Sequence, residues 1–423
     1  MELKHRQFAA AEALATAAPD VTIVLPCLNE VQSLPHCIGN ALEALVQLRV
    51  QLGLSGEIVI ADNGSSDGSQ KLASELGARV VPITSRGYGA ALIGGCHAAS
   101  GRYILMGDCD GSYDFTEGVA MIAKLDSGYE LCVGTRFKGG IAPGAMPWKN
   151  RYIGNPALTG ILNLFFRSGI SDAHCGLRAI RKGAFERLRL TGQGMEFASE
   201  MVIKAALLRL KTTEVPATLS RDLRDRAPHL RPWRDGWRHL RYLCMLSPVW
   251  VFGVPGVLAL TLAALILTAS AAQTLVPGSA PAVGDYWTVL GGGLLTAGQL
   301  AMLMTGAGHL SALRSGYRVA GARSLLAARF ATLETLLAAG AAAFACGVAI
   351  LLAVAWQWMA RDYSAAQSIF LPVIGTALLI VGLQTGMAGF LLAIFSGNEA
   401  EFLPRQTVSA AVATPDEFRR ALR

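Results

Sequence analysis

Residues 103–114 read YILMGDCDGSYD. A run of apolar residues that gives way to Gly107, and then to two carboxylates one residue apart, predicts a buried strand over Tyr103–Gly107 ending in a polar loop. Asp108 and Asp110, side by side where such a strand runs out, can hold a hard divalent cation that keeps open positions for phosphate oxygens. An isolated Asp-x-Asp also suits a solvated turn, so its neighbours decide the reading. On either side the same grammar repeats. Apolar runs at Val21–Cys27, Glu57–Asp62, Arg79–Ile83 and Leu131–Thr135 predict further strands, and helices are expected over Ser33–Leu52, Gly68–Leu76 and Tyr88–Ala99. Strands alternating with helices specify a mostly parallel, Rossmann-like α/β sheet. Ligands of such sheets collect at the carboxyl ends of the strands, where Asn29-Glu30, Asp62 to Asp67 and Asp108 to Asp114 all fall.

Beyond Ser247 the composition changes. Apolar stretches near residues 249–272, 287–310, 333–358 and 369–396 each exceed the roughly 20 residues that cross about 30 Å of hydrocarbon as a helix. They account for an apolar content of 52% and a mean hydropathy of +0.40 over 423 residues, high for a soluble protein of this length. The first loop between them, Gln273 to Tyr286, carries no Lys or Arg; the second carries Arg314, Arg318, Arg323 and Arg329; the third carries Arg361; the tail carries Arg405, Arg419, Arg420 and Arg423. Because basic loops stay cytoplasmic, these counts predict an all-α membrane domain with both termini in the cytoplasm; the expected location is a bacterial inner or plasma membrane. No Asp, Glu, Lys or Arg sits at the centre of a span, as a proton or ion pathway would require, and Gly382-x-x-x-Gly386 with Gly389 reads as helix packing. His309 reads as interfacial.

The expected organisation is an extension at 1–20, a catalytic α/β domain at 21–220, a basic segment at 221–247, membrane helices at 248–398 and a cytoplasmic tail at 399–423. The extension lacks an apolar core long enough for a signal peptide, so the catalytic domain is expected to stay in the cytoplasm. In the basic segment, seven arginines between Arg221 and Arg241 face three aspartates and interleave with Leu230, Trp233, Trp237 and Leu240. That spacing of three and four predicts a helix with an apolar stripe, entered through Pro232 and lying on anionic lipid. An ordinary amphipathic helix packed on the catalytic domain is the alternative. The net charge of +7 is therefore read as membrane attraction and not as nucleic-acid binding. Eight cysteines without a CxxC pair suit a reducing compartment, and His36-Cys37 and His174-Cys175 lack the second pair that a zinc site needs. Gly87-Tyr88-Gly89 lacks the third glycine of a dinucleotide loop and reads as a helix start.

Eight ordered segments carry a likeness: VTIVLPCLNE (21–30), IADNGSSDGS (60–69), YILMGDCDGSYD (103–114), VGTRFKGG (133–140), NRYIGNPALTGILNLFF (150–166), SDAHCGLRAIRK (171–182), EFASEM (196–201) and EVPATL (214–219). Together they resemble the inverting glycosyltransferase family 2, and within it the dolichol-phosphate mannose synthase and polyprenyl-phosphate glucosyltransferase branch. The resemblance covers residues 21 to about 241, and the four-span tail resembles that of some members. It implies a GT-A fold that transfers one hexose from a nucleotide sugar, GDP-mannose or UDP-glucose, to a polyprenyl or dolichyl phosphate.

By the family pattern Pro26, Asn29 and Glu30 line the nucleotide, with Asp62 on base or ribose and Asp108 on the ribose or metal side. Glu30 also suits a helix N-terminus, and Asp62 a plain turn. Asp108 and Asp110 are implied ligands of Mg²⁺ or Mn²⁺; where relatives often carry Gln as a further ligand this chain has Ser112, which leaves that contact open. Arg136 and Arg151 match the arginines that hold the acceptor phosphate, and Asn155 falls where some relatives have a small hydroxyl residue. Arg178 either joins them or braces its loop. Arg221, Arg224 and Arg226 follow EVPATL, where relatives carry a mobile basic loop, and Arg224 is the candidate to reach the diphosphate. A phosphate monoester is mostly dianionic at neutral pH, so no strong base is needed. Asp110 or Asp114 as a base is the alternative. A processive polysaccharide synthase is a rival function, although no QxxRW string occurs; a non-catalytic membrane scaffold is another. Expected partners are the sugar nucleotide, the lipid phosphate and membrane lipids, with no nucleic acid; a homo-oligomer is left open.

Overall fold

A computed structural model of the chain describes residues 19–224, 232–276, 284–321, 331–362, 368–398, 400 and 402. The expected extension and tail fall almost wholly outside the described residues, as do Arg226, Leu230, Arg323 and Arg329. The chain divides into two compact units, one through Leu246 and one from Ser247.

In the first unit β1 (Val21–Cys27) pairs in parallel with β2 (Gly56–Asp62), and β2 with β3 (Arg79–Pro82). On its other side β1 pairs in parallel with β4 (Tyr103–Met106). Helices α1 (Leu34–Leu52), α2 (Ser69–Glu75) and α3 (Tyr88–Ala98) connect these strands. Val21, Ile23, Val24 and Leu25 of β1 and all of β4 are buried, which is why both strands read as unbroken apolar runs. Buried positions on α1 recur at Leu34, Cys37, Ile38, Ala41, Leu45 and Leu48, one face of a helix, and Gly53 in a left-handed conformation ends it.

The sheet continues with α4 (Gly118–Asp126), β5 (Leu131–Thr135), α5 (Asn155–Phe166), β6 (Arg178–Arg181), α6 (Lys182–Leu188), α7 (Phe197–Leu207) and β7 (Thr212–Pro216). The strand order is β3-β2-β1-β4-β6-β5-β7, with β6 antiparallel to both β4 and β5. Strand β6 carries arginine at both ends and so escapes the apolar pattern. Its register sets Arg178 opposite Met106 and Val133, beside the ends of β4 and β5. One rim of the sheet therefore gathers the residues after β1, β2, β4 and β5 and those that open β6.

Helix α8 (Pro232–Met245) packs on α5 and α7. It buries Asp235, His239 and Leu243, one step of four apart, and exposes Trp233 at 91% and Trp237 at 62%. The alternative reading of this segment, an amphipathic helix packed on the first unit, is the one seen, with the tryptophans on its outer side.

The second unit holds four helices long and apolar enough to cross a membrane: Val249–Leu275, Asp285–Arg314, Leu333–Ala360 and Phe370–Phe395. We label their α-helical parts α9 (Val254–Leu275), α10 (Asp285–Arg314), α11 (Leu333–Ala360) and α12 (Phe370–Phe395). The chain is an integral membrane protein. Glycines let α11 and α12 touch backbone to backbone: a Cβ on Gly340 would stand 2.7 Å from the Gly382 carbonyl oxygen, and one on Gly382 would stand 2.5 Å from the Phe344 nitrogen.

Candidate active site

A cleft of about 940 Å³ opens along that rim, within the first unit. Pro26, Asn29, Glu30, Asp108, Asp110, Ser112, Arg136, Asn155 and Arg224, all expected at the site, line it.

The loop after β1 is held by its partner loop after β2. Asn29 takes a left-handed conformation (φ 58°), donates its main-chain N–H to Ser65 Oγ at 2.9 Å and accepts from the Ser66 N–H at 2.8 Å. Asp62 does not line the cleft. Its carboxylate accepts from the N–H groups of Gly64 (3.0 Å) and Ser65 (3.2 Å) and from Gln70 Nε2 (2.6 Å). An acid two residues ahead of a glycine turn is satisfied by that turn, and here this geometry takes the side chain away from the cleft. Asn63 and Gly64, its neighbours, are at the lining instead.

Asp108 is half-buried beside the buried Asp110. Burial and the Asp110 charge push its carboxyl up to about 6, against the opposing effect of the Tyr88 hydroxyl, which donates to Asp108 Oδ1 at 2.7 Å. Asp110 Oδ1 accepts from the Ser112 N–H at 3.0 Å, while its other oxygen pairs with Arg224 Nη2. Arg224 also contacts Glu30 Oε1 at 3.3 Å and Asp222 at 3.4 Å. The segment carrying it runs along the Asp108–Ser112 loop, with the Ser220 N–H bonded to Ser112 O (2.9 Å) and the Leu223 N–H to Asp110 O (2.8 Å). Gly111 is needed there: its φ is 78°, and a Cβ would stand 2.6 Å from Leu223 Cδ1.

These residues fit a hard cation. Asp110, with Glu30, already draws in the Arg224 guanidinium, and Asp108 and Asp110 offer oxygens of the kind that Mg²⁺ and Mn²⁺ prefer. Among the described residues no group of three His, Cys, Asp or Glu is placed to hold a metal alone. Two carboxylates with the Ser112 hydroxyl would leave positions for donor phosphates and water. Asp114 caps the turn at Phe115–Glu117, accepting from the Thr116 N–H at 2.9 Å and Asn40 Nδ2 at 2.8 Å, and is outside the lining.

Arg136, at 7% exposure, is clamped by Asp172: Nε to Oδ2 and Nη2 to Oδ1, both 2.7 Å. Nη1 has no hydrogen-bond partner among the described residues and is available to a ligand. Arg151 sits in the turn Asn150–Gly154, stacked over Tyr152 at 5.4 Å; Asn150, Gly154 and Asn155 line the cleft but Arg151 does not. Arg178 braces its surroundings, giving Nε, Nη1 and Nη2 to the carbonyls of Cys175, Ala198 and Ala173, each at 2.7 Å.

Tyr88, His174 and His239 also line the cleft, and Asp172 orients Arg136 from behind. None had been singled out for the site, although Asp172 and His174 stand in the quoted SDAHCGLR segment and Tyr88 at the expected helix start.

The Glycosyl transferase family 2 profile matches residues 22–189, and that of the Glycosyltransferase family 2 C-terminal transmembrane region matches residues 306–396. The low-salt glycan biosynthesis hexosyltransferase Agl6 of Haloferax volcanii is 34% identical over 379 residues, 89% of each chain. The chain belongs to glycosyltransferase family 2. As a family 2 glycosyltransferase it has the mostly parallel GT-A-like catalytic unit followed by membrane helices. It is also 32% identical over 220 residues to the glycosyltransferase AglJ of Haloferax volcanii, covering 52% of this chain and 69% of the relative. The polyprenol monophosphomannose synthase of Mycolicibacterium smegmatis is 28% identical over 231 residues, 51% of this chain and 84% of that one.

Proposed function

We propose that this glycosyltransferase moves a single hexose from a nucleotide sugar, GDP-mannose or UDP-glucose, to the phosphate of a polyprenol or dolichol at the cytoplasmic membrane face, with inversion at the anomeric carbon. The observation that carries the reading is the Asp108–Asp110 pair in one cleft with Arg136, on a chain that also holds four membrane spans. A relative named a polyprenol monophosphomannose synthase, and another named a hexosyltransferase, support it.

The donor's nucleoside lies over the loops after β1 and β2, against Pro26, Asn29, Glu30 and Asn63. Asp108, Asp110 and Ser112 hold Mg²⁺ or Mn²⁺, which when bound neutralises the departing diphosphate. Arg224 exchanges its carboxylate partners for the diphosphate as donor enters. Arg136 Nη1 holds the acceptor phosphate, and Arg151 joins it by turning inward from its place over Tyr152 outside the cleft lining; the phosphate dianion attacks without a protein base. Asp172 keeps the Arg136 fork in place, so that two anions approach at fixed geometry. The outward tryptophans and arginines of α8 rest in the headgroup layer.

The test is a grid of GDP-mannose and UDP-glucose against undecaprenyl and dolichyl phosphates with the purified full chain, reading lipid products by mass. One hexose per lipid phosphate is expected with one donor. A ladder of sugars on one lipid points to a polymer synthase instead, and no lipid product with either acceptor overturns the reading.

A further inference from the structure

A polar cluster at the β6 end of the cleft is not used by this scheme. Ser199 Oγ, wholly buried on α7, lies 3.2 Å from His174 Nε2 and 2.8 Å from His239 Nδ1. The two imidazoles meet edge to face with centroids 4.7 Å apart. Both line the cleft, yet the buried Nδ1 of His174 has no hydrogen-bond partner among the described residues. A buried imidazole nitrogen left without a partner costs free energy unless a ligand completes it.

Sheet order says which ligand end comes there. Along the rim the nucleotide-side loops follow β2 and β1, the carboxylate pair follows β4, and the His174 loop opens β6, next in line. That loop abuts the carboxylates: a Cβ on Gly176 would stand 2.6 Å from Asp108 Oδ2. With the diphosphate at Asp108 and Asp110 and the nucleoside over β1 and β2, the other end of a sugar nucleotide extends past β4 toward His174.

Charge selects the group. Burial, the His239 ring and the Arg136 and Arg178 guanidiniums hold His174 well below the usual histidine range, and burial takes His239 down to about 4. Both rings are neutral at pH 7, so neither of them complements a phosphate as the Arg136 guanidinium does. The Ser199 hydroxyl donates to one ring and accepts N–H from the other, which leaves His174 Nδ1 either a lone pair or an N–H according to tautomer. A hydroxyl satisfies both.

Resting on the glycosyl-transfer reading above, we propose that His174 hydrogen-bonds a hydroxyl of the donor hexose through Nδ1, with Ser199 and His239 as positioning residues that orient its ring, and that this contact selects the sugar.

The test compares wild type, H174A and S199A with whichever of GDP-mannose and UDP-glucose is turned over, and with its 2-, 3-, 4- and 6-deoxy analogues. In wild type one deoxy donor is expected to lose about 10²-fold or more in kcat/KM, as in sites built to bond a hydroxyl. H174A should lose a similar factor with the parent donor yet leave that one deoxy donor unchanged, with Kd for free nucleoside diphosphate and KM for the lipid phosphate within about twofold. S199A, which removes a single oxygen, should show the same selective pattern at about tenfold and carries the comparison if H174A does not fold. Equal losses on parent and all analogues, or a rise confined to the lipid KM, overturn the subsite while leaving the transfer reading intact. Wild type that neither binds nucleoside diphosphate nor turns over either donor removes both.

Discussion

Replacing Arg136 is expected to damage the catalytic unit before it damages catalysis. Asp172 is fully buried, and Arg136 gives it two side-chain bonds of 2.7 Å and a main-chain bond of 3.1 Å. Removing one partner of a buried ion pair leaves an uncompensated charge at a cost of about 3–5 kcal/mol, whereas removing both is often nearly neutral. For a unit of this size 1 kcal/mol corresponds to roughly 2–4 °C, so R136M and D172N should each lower its unfolding temperature by about 6–20 °C. R136M/D172N should recover most of the loss. Thiol labelling during a temperature ramp of the full chain in detergent reports the unit, because Cys27, Cys37, Cys96, Cys109, Cys132 and Cys175 are buried in it, Cys244 is half-buried in it and the one other cysteine, Cys346, lies within a membrane helix. Single variants within about 2 °C of wild type, or a double variant as low as the sum of the singles, would refute the reasoning.

The carboxyl of Asp108, raised to about 6 by burial and Asp110, binds its proton more tightly folded than unfolded, so it is neutral below that pH and charged above it. Mn²⁺ affinity, followed by electron paramagnetic resonance, should therefore fall by up to about tenfold per unit as pH drops below 6, and a flat profile from pH 5 to 7 would contradict this. R224A removes the cation that competes for Asp110 and Glu30; it should tighten Mn²⁺ several-fold while slowing turnover, and unchanged affinity would count against that competition. In the membrane unit, G382V places a Cβ 2.5 Å from the Phe344 nitrogen and 2.6 Å from the Gly340 oxygen and should destabilise α11–α12 packing by about 1–3 kcal/mol. G386A, whose Cβ meets nothing nearer than 4.0 Å, serves as control, and equal melting of the two variants would argue against backbone contact there.

Much of the architecture is legible in residues alone, for physical reasons. Strands β1 and β4 are buried on both faces and write themselves as VTIVLPC and YILM, and membrane helices write themselves by length. Strand β6, RAIR, hides because its existence depends on pairing with β4 and β5, and Thr212–Pro216 hides because only Val215 of it is buried. At the site the paired acids announce themselves by spacing. What spacing does not convey is where a side chain spends its hydrogen bonds. Asp62 turns into its own loop, Arg178 is consumed by three carbonyls, and Arg136 is half occupied by an aspartate 36 positions away. His239 lies on the face of α8 opposite the tryptophans, so a stripe read as lipid-facing gives no sign that this histidine lines the cleft.

The central claim is that Asp108 and Asp110 grip a divalent cation on which transfer depends. Turnover of the chelator-stripped full chain, measured as Mn²⁺ or Mg²⁺ is titrated back, tests it most directly. Activity should vanish without metal, return with it in wild type, and stay down by about 10²–10³-fold in D110N at saturating metal. Full turnover in chelator, or a D110N variant as active as wild type, would contradict the account.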